Sequence, residues 1–187
     1  MGPMKEGQHL DGLQRDGELF TFRYPRWADV SAYVQMCQIL HREKVMAYHM
    51  DTDFARGAER LSRFLLELEK GKLSHVLIEA ESQIVGEGCI LTGTAPRTGT
   101  LGIKIIGAYR RRGLGARMMA LLEGEAKKLA LGRIYLHVWG LNQGAIALYT
   151  QCGYRQVGRV EDWYSMDDGQ GGQILSDRVE MIKDLAV

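Results

Sequence analysis

Residues 103–117, Ile103-Lys-Ile-Ile-Gly-Ala-Tyr-Arg-Arg-Arg-Gly-Leu-Gly-Ala-Arg117, hold the densest chemistry in the sequence. Thr100–Ile106 reads as a strand, and it runs through a glycine-bearing turn into a segment of helical apolar spacing. Such a junction gathers free backbone N–H groups and the positive end of a helix dipole at one point. Glycine at 113 and 115 removes the Cβ atoms that would hold an anion away from the backbone. Arg110, Arg111 and Arg112 add positive charge at the mouth of the turn. A polyphosphate is the expected occupant; the plainer reading is a solvated turn with a surface arginine cluster.

Two familiar phosphate motifs are excluded by spacing. A dinucleotide fingerprint needs a third glycine where Met118 stands, and a Walker A loop needs Lys-Ser/Thr after a shorter interval than Gly107 to Gly113. The formal net charge of +1 supplies no global field for nucleic acid or an anionic membrane, so any anion must be held locally. No apolar run reaches the roughly 20 residues of a membrane span. Cys37, Cys89 and Cys152 are odd in number and form no CxxC pair, which argues for a reducing, cytoplasmic setting without a disulfide framework or zinc site. His41, His49 and Asp51 are too loosely spaced to suggest a metal.

The elements that must position this turn follow from periodicity. Residues 1–17 show none and read as a flexible arm, leaving 18–187 as one domain. Glu18–Tyr24 alternates as a strand; Asp29 reads as the N-cap of a helix carrying Val30, Tyr33, Val34, Cys37 and Leu40. A polar stretch, Val45 to Asp53, precedes a second helix with Leu61, Phe64, Leu65 and Leu68, closed by Gly71. Strands are expected at Ser74–Ala80, Gln83–Thr92 and Thr100–Ile106, then the longest helix, Gly113–Leu131, with Gly132 at its end. Arg133–Trp139 is a strand, Asn142 caps a short helix ended by Gly153, and Tyr154–Tyr164 with Ile174–Lys183 forms a hairpin. The order is that of a mixed α/β sheet rather than a doubly wound one.

Beyond composition, Arg110-x-x-Gly113-x-Gly115 and, about thirty residues on, Asn142-x-x-Ala145-Ile-Ala-Leu-Tyr149-x-x-x-Gly153-Tyr154 together resemble the two motifs of the GCN5-related N-acetyltransferase (GNAT) superfamily. The resemblance implies a mostly antiparallel twisted sheet with flanking helices and a splayed central pair of strands, and acetyl-CoA as co-substrate. It implies that backbone groups of Ile103, Lys104 and Ile105 pair with pantetheine amides, as a strand added at a sheet edge would. Arg110, Arg111, Arg112, Gly113, Leu114, Gly115 and Ala116 would form the pyrophosphate turn, and Asn142 would touch the cofactor arm as well as cap its helix.

Transfer from a thioester to an amine needs a base for the ammonium and an acid for the departing thiolate. Tyr149 stands where the superfamily places the tyrosine that protonates sulfur; the alternative is a tyrosine packed in the core. Five residues before Asn142, where ribosomal-protein alanine N-acetyltransferases carry a glutamate, this chain has His137. An imidazole of ordinary pKa near 6.5 suits that task, or the side chain simply fills the strand. Thr100 departs from a second acidic position common in the superfamily, leaving Glu87 as a base acting through water. The resemblance thus implies an N-acetyltransferase of primary amines, of amino-acid or polyamine type. A protein N-terminus is the alternative, kept open by Trp163-Tyr164 and Asp177-Arg-Val-Glu-Met181, as is a silent acetyl-CoA sensor. No nucleic acid, membrane or metal is expected, and a homodimer is compatible with the reading.

Overall fold

The computed structural model describes residues 6–43, 53–167 and 170–186. Its strands are β1 (His9–Arg15), β2 (Glu18–Arg23), β3 (Leu73–Ala80), β4 (Gln83–Thr92), β5 (Thr98–Ile105), β6 (Arg133–Trp139), β7 (Arg155–Asp167) and β8 (Gln173–Asp184). The helices are α1 (Val30–Arg42), α2 (Phe54–Glu69), α3 (Leu114–Lys128) and α4 (Gln143–Gln151). One sheet runs β1-β2-β3-β4-β5-β6-β8-β7. Every neighbouring pair is antiparallel except β5 and β6. A parallel pair requires a crossover, and α3 supplies it.

The expected mixed, mostly antiparallel sheet is the observed one, and its central pair is splayed. β5 and β6 pair only where Thr98–Thr100 meet Arg133–Tyr135. Adjacent residues of β4 separate the two helical layers, because successive side chains leave opposite faces of a strand. Glu87 accepts a hydrogen bond from the Tyr33 hydroxyl of α1. On the other face, a Cβ on Gly88 would stand 2.5 Å from Met118 Sδ of α3, so glycine is what lets that helix lie close. Met118, Met119, Leu122 and Ala126 of α3 are fully buried there, each of the larger ones contributing ~1.5–3 kcal/mol.

Three expectations need correction. Residues 9–15, read as part of an arm, pair as β1 with β2. A bulge between His9 and Asp11 shifts the register, so Leu10 and Leu13 no longer alternate. The turn joining the two strands is Asp16-Gly17, both at positive φ, a two-residue hairpin connection. Asp29 precedes α1 but makes no cap bond to it; its carboxylate takes both terminal nitrogens of Arg23 at 2.8 Å and the Arg26 N–H at 2.6 Å. Helix α3 closes on Ala130 at φ 56°, with Leu131 N–H bonded to Ala126, rather than on Gly132. The Val45–Asp53 stretch lies outside the described residues except for Asp53, which caps α2 through the Ala55 N–H at 2.7 Å.

Candidate active site

Where β5 and β6 part, a cleft of about 690 Å³ opens between them, walled by α3 and α4. It brings together Ile103, Lys104 and Ile105 of β5, the turn residues Arg110, Arg111, Gly113, Gly115 and Ala116, and Asn142, Tyr149 and His137. Arg112, Leu114 and Glu87 do not line it. Past Thr100, β5 bonds to β4 on one side only, since β6 has diverged. Its other edge therefore offers backbone groups to an extended ligand, the geometry of an added strand.

The turn is built from left-handed residues. Arg111 has φ 64° and Gly113 φ 82°. The first backbone bond of α3 runs from Arg117 N–H to Gly113, so Leu114, Gly115 and Ala116 present N–H groups unused within the helix. Gly113 is required by its own conformation, with open space where a Cβ would go. Gly115 serves another purpose: a Cβ there would come within 2.9 Å of Leu148 of α4 and narrow the cleft.

The three arginines do not act alike. Arg110 Nε donates to the Ile105 carbonyl at 2.7 Å, and its guanidinium pairs with Glu43 at the end of α1. Arg112 pairs with Glu18 of β2 at 2.7 Å and lies over the Tyr109 ring at 5.1 Å, turned from the cleft. Arg111 remains on the cleft wall. Leu114 is 1% exposed and packs into the core; only its backbone is available to an anion. Asn142 Oδ1 accepts the Ala145 N–H at 3.1 Å, fixing the start of α4.

Profile comparison matches residues 33–154 to the acetyltransferase (GNAT) family. The chain belongs to that family. It is 31% identical over 67 residues to [ribosomal protein bS18]-alanine N-acetyltransferase of Escherichia coli, a stretch covering 36% of this chain and 45% of that enzyme. The chain thus spans about half the length of the curated relatives it matches. A GNAT-family acetyltransferase from Streptococcus pneumoniae has the same fold, with a TM-score of 0.74 at 20% identity, over 89% of this chain and 99% of that one. So has a phosphinothricin acetyltransferase from Sinorhizobium meliloti solved in complex with acetyl-CoA, with a TM-score of 0.72 at 16% identity, covering 89% and 88%.

Within this GNAT chain the proton-carrying candidates sit in unlike surroundings. Tyr149 is nearly buried on the inner face of α4 and lines the cleft, 6.1 Å between its ring and that of Tyr154. His137 faces the cleft from β6. Burial lowers its pKa below the usual 6.5, the charge of Arg178 lowers it further, and Glu180 opposes both. His137 is accordingly neutral at pH 7 and able to take a proton.

Glu87 is 3% exposed and fully engaged. Lys104 Nζ lies 2.7 Å from one oxygen; His75 Nε2 at 2.8 Å and the Tyr33 hydroxyl at 3.1 Å share the other. Arg60 of α2 stands 3.9 Å away. Burial opposes the charged carboxylate, but Lys104, His75 and Arg60 outweigh it and hold the group well below the ordinary carboxylate range. The same network fixes the side chain of Lys104, a residue that lines the cleft.

Sequence reasoning passed over Trp139, Leu148 and Tyr109, which also wall the cleft. Trp139 shares the outward alternation of Tyr135 and His137 on β6, and that period-2 signal could have found it. Of the Trp163-Tyr164 pair that keeps a protein N-terminus open as acceptor, Tyr164 lines the cleft. No group of three or more His, Cys, Asp or Glu among the described residues could hold a metal; His49 and Asp51 lie outside them.

Proposed function

We propose that this chain is an N-acetyltransferase that moves the acetyl group of acetyl-CoA to a primary amine of a small molecule, of amino-acid or polyamine type, in one ternary complex. One observation carries the reading: the left-handed turn at Arg111–Gly113, the open edge of β5, Tyr149 and His137 all share one continuous cleft. The turn's N–H groups and Arg111 would hold a pyrophosphate, and the β5 edge would hold the pantetheine arm. Acetyl-CoA supplies an acyl carbon already activated as a thioester.

The chain's own residues account for the protons. A neutral His137 takes one from the attacking ammonium, and the Tyr149 hydroxyl gives one to the leaving thiolate. Backbone N–H on the open β5 edge is suited to steady the oxyanion. Glu87 is a poor candidate base because its charge is already neutralised by Lys104 and its oxygens are taken. A second reading, acetylation of a protein N-terminal amine, is favoured by the 67-residue match to the bS18-alanine enzyme. Three cysteines without a disulfide suit a cytoplasmic setting.

The test is direct. Calorimetry with acetyl-CoA, followed by thiol release across a panel of amino acids, polyamines and N-terminal peptides, should show binding and turnover with one acceptor class. No binding at millimolar cofactor would overturn the assignment, and turnover confined to peptides would select the second reading.

A further inference from the structure

Strand β8 brings two opposite charges to the face of β6 that carries His137. In the antiparallel register Glu180 stands opposite His137 and Arg178 opposite Trp139. Directly opposed residues share a face, with Cβ atoms about 4.5–5.5 Å apart. Arg178 Nη2 pairs with Glu180 Oε1 at 2.7 Å and its guanidinium lies 4.9 Å over the Trp163 ring. On the far side, β7 offers Gly158 opposite Glu180, and a Cβ there would crowd Glu180 Oε2 at 2.9 Å. The carboxylate is thus held between a guanidinium and a backbone with no side chain. It acts on His137 through its field, not through a hydrogen bond.

We infer that the Arg178–Glu180 pair is a positioning pair for the His137 base, its opposed charges setting how readily the imidazole takes and releases the proton of the acceptor amine. The inference rests on the assignment of His137 as base. Burial first and the charge of Arg178 second favour the neutral resting imidazole, so that it can accept. Glu180 limits that effect and steadies the imidazolium once the proton has moved from the ammonium to the ring. The titratable groups that line the cleft with His137 are Tyr149 of α4, Tyr164 of β7, Cys89 of β4, Tyr109, and the cations Arg110, Arg111 and Lys104, the last matched by Glu87. Among the described residues, Arg178 and Glu180 are the charges that act on His137.

The full chain is titrated by NMR of its imidazole resonances, with His137→Ala identifying the signal of interest among the five histidines. The pH dependence of kcat/KM is measured on the same variants. Charges at this separation and partial exposure should each move the midpoint by roughly half to one pH unit. Glu180→Gln should move it down, Arg178→Gln up, and the double variant back near the parent. Arg178→Lys keeps the charge and loses the guanidinium over Trp163, so it should leave the midpoint in place. Midpoints unmoved by either substitution, or moved the same way by both, would overturn the inference. A neutral limb that persists in His137→Ala would instead remove the base assignment itself. A limb lost in His137→Ala but fixed in the β8 variants removes only the role of the pair.

Discussion

Replacing Glu87 by Gln separates a structural carboxylate from a catalytic one. The substitution keeps size and hydrogen-bonding capacity but deletes the charge that faces Lys104 Nζ at 2.7 Å and His75 at 2.8 Å. The Lys104 side chain is 7% exposed and His75 is fully buried, so little water can replace that charge. Removing one partner of a buried pair costs about 3–5 kcal/mol. For a chain of 187 residues this corresponds to a fall in Tm of roughly 6–20 °C. Pairing it with Lys104→Met should restore much of the loss, since both charges leave together. Acid adds a second check. Because the native carboxyl is held below its ordinary value, its stabilisation is complete above about pH 5 and disappears as pH falls through the native pKa. The gap between parent and Glu87→Gln should therefore narrow in acid. Thermal unfolding followed by circular dichroism across pH 3–8 measures both effects. A variant melting within about 2 °C of the parent at pH 7, with kcat/KM nonetheless down by ~10²-fold or more, would refute the argument and return Glu87 to the role of base.

Tyr149→Phe should lower kcat roughly 10–100-fold with acetyl-CoA affinity nearly unchanged, read by steady-state kinetics beside calorimetry. Gly115→Asp should abolish the calorimetric signal for acetyl-CoA by closing the approach to Leu148 and repelling phosphate, while circular dichroism stays native. Gly113→Ala, which meets no neighbouring atom but must adopt φ 82°, should cost about 1–2 kcal/mol in urea unfolding and weaken cofactor binding less than Gly115→Asp does. For His137, kcat/KM should rise with pH through an ionisation on the acid side of 6.5, because burial and Arg178 lower it; His137→Ala should erase that limb.

Which parts of the site could be read from sequence follows from how local their causes are. The turn was legible because its determinants are neighbours in the chain: a strand, Arg110, Gly113, Gly115 and a helix within fifteen residues. Asn142 and Gly153 marked α4 for the same reason, one accepting the Ala145 N–H and the other at φ 85°. What failed depended on partners distant in sequence or on a change of phase. Nothing near Arg112 announces that Glu18 will draw it from the turn, and nothing near Glu87 announces Lys104, His75 and Tyr33. Strand β1 was hidden by its bulge, although Asp16-Gly17 was a readable hairpin turn. The proton chemistry divides along the same line. The motif locates Tyr149, whereas the ionisation of His137 depends on a register with β8 that no local pattern encodes. The residues proposed for cofactor recognition therefore lie in short segments, and those proposed to tune the base lie in the hairpin beyond the matched residues 33–154. Relatives that share the turn and α4 but differ at positions aligned with Arg178 and Glu180 should share acetyl-CoA binding and differ in the pH at which they work.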